Sequence, residues 1–175
     1  MIHVYAIEPD LAAAWGNQYH YRYFHDKFGL GTPRMLLEIP KFTKWRSKVL
    51  RAAEALGVPD MDMERLTALL ETLEERRCKR AETPYDGTIE WLVNAEREYD
   101  RLPFAAILAR GNPRGHKGVI PGKNIGMSTD ERWDKPVAAF PARRPEDMAN
   151  AVAAMLANCR EVRFVDPHFG PENAR

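Results

Sequence analysis

Hydrophobic and polar positions along the chain alternate between two periods. Residues 2–7 (Ile2-His3-Val4-Tyr5-Ala6-Ile7) are apolar and rich in β-branched side chains, which predicts a strand. Pro9-Asp10 then opens a short helix to Trp15, stopped by Gly16-Asn17. Tyr19, Tyr21, Tyr23, Phe24 and Phe28 form an aromatic cluster that ends in the break Gly29-Leu30-Gly31-Thr32-Pro33. Phe42, Trp45, Val49, Ala53 and Leu56 recur three or four apart, predicting a helix with Pro40 in its first turn and Gly57 at its end. Asp60 or Asp62 caps the next helix, whose stripe is Met63, Leu66, Leu69, Leu70 and Leu73. It is acidic at its start and basic at its end (Arg76, Arg77, Lys79, Arg80), the order a helix dipole favours. A further helix runs from Asp86 or Thr88 to about Tyr99.

Beyond residue 100 the pattern becomes strand-like. Phe104–Ala109 reads as a buried strand, Gly111-Asn112-Pro113-Arg114-Gly115 as a turn, and Lys117–Ile120 as its hairpin return. Residues 121–135 read as a loop and 136–140 as a strand. A helix from Pro145 carries Met148, Val152, Met155, Leu156 and Cys159, and Glu161–Val165 reads as a final strand. The stretch 136–166 is therefore a β-α-β unit. The expected fold is α/β or α+β. It is one domain over residues 1–175, with a mixed sheet, a C-terminal β-α-β unit and a helical insertion at about residues 9–100. Strand 2–7 is expected to join the later strands.

Composition narrows the function classes. Of 175 residues, 45% are hydrophobic and 29% charged, and the net charge is +1. That excludes a disordered tail and a protein held to nucleic acid by bulk charge. The start of the chain has no charged leader before an apolar core, and no apolar run nears the ~20 residues of a membrane span. The cytoplasm is the expected compartment, with no membrane partner. Arg far outnumbers Lys, and serine occurs only at Ser47 and Ser128, a bias expected of a GC-rich bacterial genome. Cys78 and Cys159 fall in two expected helices without metal-ligand or disulfide spacing, so free thiols and no metal site are expected. His20 and His25 are five apart, not the spacing of a helical metal pair. No glycine-rich nucleotide fingerprint or Gly-x-Ser-x-Gly is present, so neither a cofactor nor a serine nucleophile is implied.

The net charge hides an asymmetry. Residues 1–100 carry 14 basic and 17 acidic side chains, residues 101–175 carry 12 and 8. No acid occurs between Asp100 and Asp130, whereas Arg101, Arg110, Arg114, His116, Lys117 and Lys123 do, among five glycines. Arg110, Arg114, His116 and Lys117 are thus candidate contacts to an anion or nucleic acid, since glycine turns let amides and cations meet a phosphate together. The bland alternative is a solvated hairpin whose charges pair with the acidic helix at 60–75. Lys41, Lys44, Lys48 and Arg51 form a second basic face, either merely solvated or touching nucleic acid. The aromatic cluster at 19–28 offers stacking for bases, or core and interface packing. Asp166 and His168, just past the last expected strand, are candidate catalytic residues, because ligands of open α/β sheets bind beyond strand carboxyl ends. The alternative is a capped strand end.

One resemblance rests on the run from Met148 through Leu156 to Glu161-Val162-Arg163-Phe164-Val165-Asp166-Pro167-His168-Phe169. It looks like an early helix and strand of phospholipase-D-like phosphodiesterase domains, where a strand often ends in Asp-Pro-aromatic. The resemblance implies phosphodiester chemistry, performed in that family by His-x-Lys-x4-Asp with histidine as the nucleophile. No complete copy occurs: His25-Asp26-Lys27 has Thr32 in place of the aspartate, and His116-Lys117 lacks the intervening residue. The resemblance therefore implies that the chain is the N-terminal part of a longer phosphodiesterase acting on nucleic acid. The alternative is a non-catalytic α/β interaction or regulatory module of a multi-protein bacterial system, with a protein partner or a second copy of the chain as ligand.

Overall fold

The computed structural model describes residues 2–80, 83–125, 130–135 and 141–156. It is an α/β protein whose chain divides into two compact units, Met1–Phe140 and Pro141–Arg175. In the first unit the elements are β1 (His3–Ile7), α1 (Pro9–Ala12), a 3-10 turn (Ala13–Gly16), α2 (Gln18–Phe28), β2 (Arg34–Leu37), α3 (Phe42–Ala55), α4 (Asp60–Glu75), β3 (Arg77–Cys78), α5 (Trp91–Arg101), β4 (Ala106–Ala109) and β5 (Val119–Pro121). The second unit holds α6 (Pro145–Leu156), the helix expected there. Among the described residues no helix is long and apolar enough to cross a membrane.

All pairings in the sheet are parallel, in the order β3-β2-β1-β4-β5. Side-chain alternation along β1 explains why both faces are covered: Tyr5 and Ile7 enter one apolar cluster, Val4 and Ala6 the other. The first cluster takes Phe42, Trp45, Val49 and Ala53 of the expected α3 stripe and Leu66, Leu69, Leu70 and Leu73 of the α4 stripe, with Met63 partly buried against it, together with Trp15, Phe24 and Phe28. Leu56, expected in the α3 stripe, lies just past the helix and is 60% exposed. The second takes Trp91, Leu92 and Ala95 of α5. The chain steps outward from β1 through β2 to β3 with α1–α4 on one face. It then returns past β1 to β4 with α5 on the other face. Uniformly right-handed crossovers require that exchange of faces.

Several expectations change. β2 arises where no strand was predicted, and β3 forms where α4 was expected to continue in its basic end, so residues 9–100 supply two strands as well as helices. Cys78 consequently sits in a strand and is buried. Pro40 precedes α3, which starts at Phe42 after a cis Ile39–Pro40 bond. The mixed sheet is, among the described residues, purely parallel, and β5 is a parallel neighbour of β4 in place of the expected hairpin. The strands are so short (~10 Å for three residues) that the loop 110–118 spans the return without a helix. Trp133 lies in a segment expected to be a loop, yet it is 3% exposed and its indole N–H donates to the Tyr23 hydroxyl at 2.8 Å. The strands expected at 136–140 and 161–165 lie outside the described residues, as do Cys159, Asp166 and His168.

Candidate functional site

The sheet order puts a topological switch point between β1 and β4, where the chain leaves in one direction and comes back from the other. In open α/β sheets, ligands bind at the carboxyl end of such a point. A cavity of about 680 Å³ lies there. Glu8, Asp10 and Arg110 line it from the strand ends, Lys48 and Arg51 from α3, and Glu90 and Trp91 from the start of α5. Two indoles fix its walls. The Trp45 N–H donates to the Ile7 carbonyl at 2.7 Å and holds α3 over β1, and the Trp91 N–H donates to the Ile39 carbonyl at 2.5 Å. The Arg110 amide donates to Glu8 Oε2 at 2.6 Å, and the Arg110 guanidinium reaches Asp10 at 3.3 Å. Burial pushes the Glu8 carboxyl above the usual carboxylate range, against the pull of that amide and of the Arg110 charge.

A second crevice, of about 640 Å³, opens beyond the carboxyl ends of β2 and β3. Among the described residues its cations are Lys41, Lys44, Arg77, Lys79 and Arg80, and its one carboxylate is Glu38. Arg77 pairs with Glu38 at 3.5 Å and Glu74 at 3.2 Å, and Arg80 with Glu98 at 3.1 Å. Lys41, Lys44 and Lys79 are exposed, and no ion pair among the described residues engages them. The crevice also borders the N-terminus of α3, which has no capping side chain and no acid in its first turn, leaving first-turn amides available. Lys48 joins the two cavities: it lines the first and donates to the Tyr85 hydroxyl of the second at 2.6 Å. The basic face of α3 therefore runs along the carboxyl edge of the sheet.

The loop singled out by its lack of acids is placed differently. Arg110 stands at the switch point. Arg114 is engaged by two carboxylates of the α5 region, Glu96 at 2.6 Å and Glu90 at 3.4 Å. His116 Nδ1 accepts from the Gly118 amide at 3.1 Å, so the proton sits on Nε2, which faces Asp100 at 3.3 Å. Lys117 is exposed. The pairing acids thus come from α5, from Glu90 just before it and from Asp10 of α1, not from the helix at 60–75. Gly118 serves packing, since a Cβ there would meet the Tyr99 ring at 2.7 Å. Of the aromatic cluster, Phe24 and Phe28 are core, while Tyr19 is 69% exposed.

Comparison with protein-family models, with curated proteins and with solved structures finds no match. Among the described residues no group of three or more His, Cys, Asp or Glu is placed to hold a metal ion. What the described edge offers chemically is cationic side chains, helix amides and the carboxyls of Asp10, Glu90, Glu8 and Glu38, the last two the more buried. Sequence reasoning missed Glu8 and Glu38, along with Lys79 and Tyr85. The signal was a charged residue directly after an apolar run, Ile7-Glu8 and Leu36-Leu37-Glu38. It is readable only once β2 is recognised as a strand.

Proposed function

We propose that this chain binds phosphate-ester ligands, nucleic acid above all, along the carboxyl edge of its sheet. The observation that carries the reading is one helix face. Lys41 and Lys44 line the crevice at β2 and β3, and Lys48 and Arg51 line the switch-point cavity. A row of cations spaced along an edge suits a chain of phosphates better than a single small anion. The phospholipase-D-like run beginning at Met148 supports the same ligand class. The proposal is binding only, because no complete His-x-Lys-x4-Asp occurs in the chain. Fluorescence anisotropy with short DNA and RNA oligonucleotides tests it: binding at low salt must fall steeply as salt rises. Absence of binding at low salt removes the reading. A second reading, a protein-interaction module, is favoured by the exposed Met148 and Val152 one turn apart on α6.

A further inference from the structure

The crevice beyond β2 and β3 contains something a plain phosphate site does not need. Glu38 lines it with a side chain only 8% exposed. Its Oε1 is buried without a hydrogen-bond partner among the described residues. Arg77 Nε lies 3.5 Å from that oxygen, close enough to balance the charge and too far to use the lone pair. The Thr83 hydroxyl, in the same crevice, is likewise buried and unpartnered. A carboxylate repels a phosphate, so an anion alone leaves Glu38 unsatisfied, and a buried acceptor left without a donor is costly. A ligand that suits the whole crevice carries hydroxyl donors next to its phosphate.

From this the geometry points to a ribose-phosphate subsite. Turned into the crevice from its present closed position, the Glu38 carboxylate accepts a hydrogen bond from a ribose 2′-hydroxyl, and Lys41, Lys44 and the first-turn amides of α3 hold the adjoining phosphate. Two observations of different kinds meet here: an unpartnered acceptor nine-tenths buried, and unpaired cations beside an uncapped helix start. The 2′-hydroxyl is the group by which a protein distinguishes RNA from DNA, so the carboxyl edge prefers ribonucleotides. This inference rests on the phosphate-ester reading above and adds the sugar to it.

The test compares a short oligoribonucleotide with the deoxy-oligonucleotide of the same sequence, and uridine 5′-monophosphate with its 2′-deoxy form, on the full chain. The wild type is expected to favour the ribo forms by roughly tenfold, as expected for one hydrogen bond to a charged group. Glu38→Ala should bring the ratio near one while deoxy affinity stays the same or rises. Glu38→Gln, which keeps the volume if the alanine variant unfolds, should lower the ratio by roughly threefold because a neutral acceptor bonds more weakly. Discrimination in the mononucleotide pair identifies a free nucleotide as sufficient. Discrimination only in the oligonucleotides identifies an RNA strand, and both results support the subsite. Equal affinity for ribo and deoxy ligands, or discrimination that survives Glu38→Ala, overturns it and leaves phosphate binding standing. Failure of every ligand to bind overturns both.

Discussion

The loop 110–118 and the helix α3 carry similar numbers of cations, and the fold treats them in opposite ways. In the loop, Arg110 meets Asp10, Arg114 meets Glu96 and Glu90, and His116 meets Asp100. On α3, Lys41, Lys44, Lys48 and Arg51 meet no carboxylate within ion-pair distance among the described residues, and Lys48 rests on a tyrosine hydroxyl. Loop cations find their partners through tertiary packing, so an acid-free stretch of sequence says little about acids in space. On a helix the nearest neighbours are three and four residues away, so an acid-free run there stays acid-free on its own face. Loop cations tie the fold together; helix cations remain available to a ligand.

The largest effect should come from reversing charge where cations are unpaired. Lys41→Glu with Lys44→Glu is expected to reduce oligonucleotide affinity by roughly hundredfold or more at low salt, since each reversal removes an attraction and adds a repulsion. Thermal unfolding should barely move, as both residues are exposed. Unchanged affinity in an anisotropy titration would place the ligand elsewhere.

Arg114→Ala should show the opposite profile. It strands Glu96, whose carboxyl is 8% exposed and whose Oε1 already lacks a partner. A stability loss of about 1 kcal/mol is expected after allowing for the partial exposure of Arg114. Oligonucleotide affinity should stay within roughly twofold. A chemical denaturation series reads the first quantity; a large loss of affinity with intact stability would make the loop a contact surface after all.

A smaller and more specific effect belongs to single phosphate contacts. Lys44→Ala should lower the slope of log affinity against log salt by about one, as each contact releases its own counterions. Lys117→Ala, in the loop, should leave that slope unchanged. Equal changes in both slopes would erase the distinction between the two regions.

What was legible in the sequence follows the same division between local and long-range causes. The stripes of α3 and α4 could be read because Trp45, Val49 and Ala53, or Leu66, Leu69 and Leu73, bury one face by their own spacing. The strand at 2–7 was legible from a different local cause, a continuous apolar and β-branched run that suits a strand buried on both faces. β2 was not: Arg34-Met35-Leu36-Leu37 is short, begins with a buried arginine and follows a proline break. It is a strand because β1 and β3 flank it in the sheet. Missing β2 concealed the carboxyl edge, and with it Glu38. The hairpin reading failed because glycine-rich turn chemistry signals a change of direction without saying whether the next strand pairs antiparallel or parallel. The basic face of α3 was visible from the start; only the strand order shows that it lies over the place where ligands of such sheets bind.

Glu8 tests how firmly the loop is attached, because the Arg110 amide that begins the loop donates to its carboxyl. Burial raises the folded-state pKa of Glu8 above its unfolded value. Its contribution to stability is therefore complete below the unfolded pKa and is lost as pH rises through the folded one. Asp130 behaves oppositely: hydrogen bonds from Arg132 lower its pKa, so its contribution is present above the unfolded value and lost as pH falls through the folded one. The two act in adjoining acidic windows with opposite sign, and a single wild-type pH profile mixes them. Glu8→Gln keeps an acceptor for the Arg110 amide and removes the titration. Its stability relative to wild type should rise as pH climbs from the ordinary glutamate range through the raised pKa of Glu8, and level off above it. Denaturant melts of both proteins across that range measure the difference. A difference that is flat with pH would show that the carboxyl ionises as it does in water and does not anchor the loop as a half-buried group.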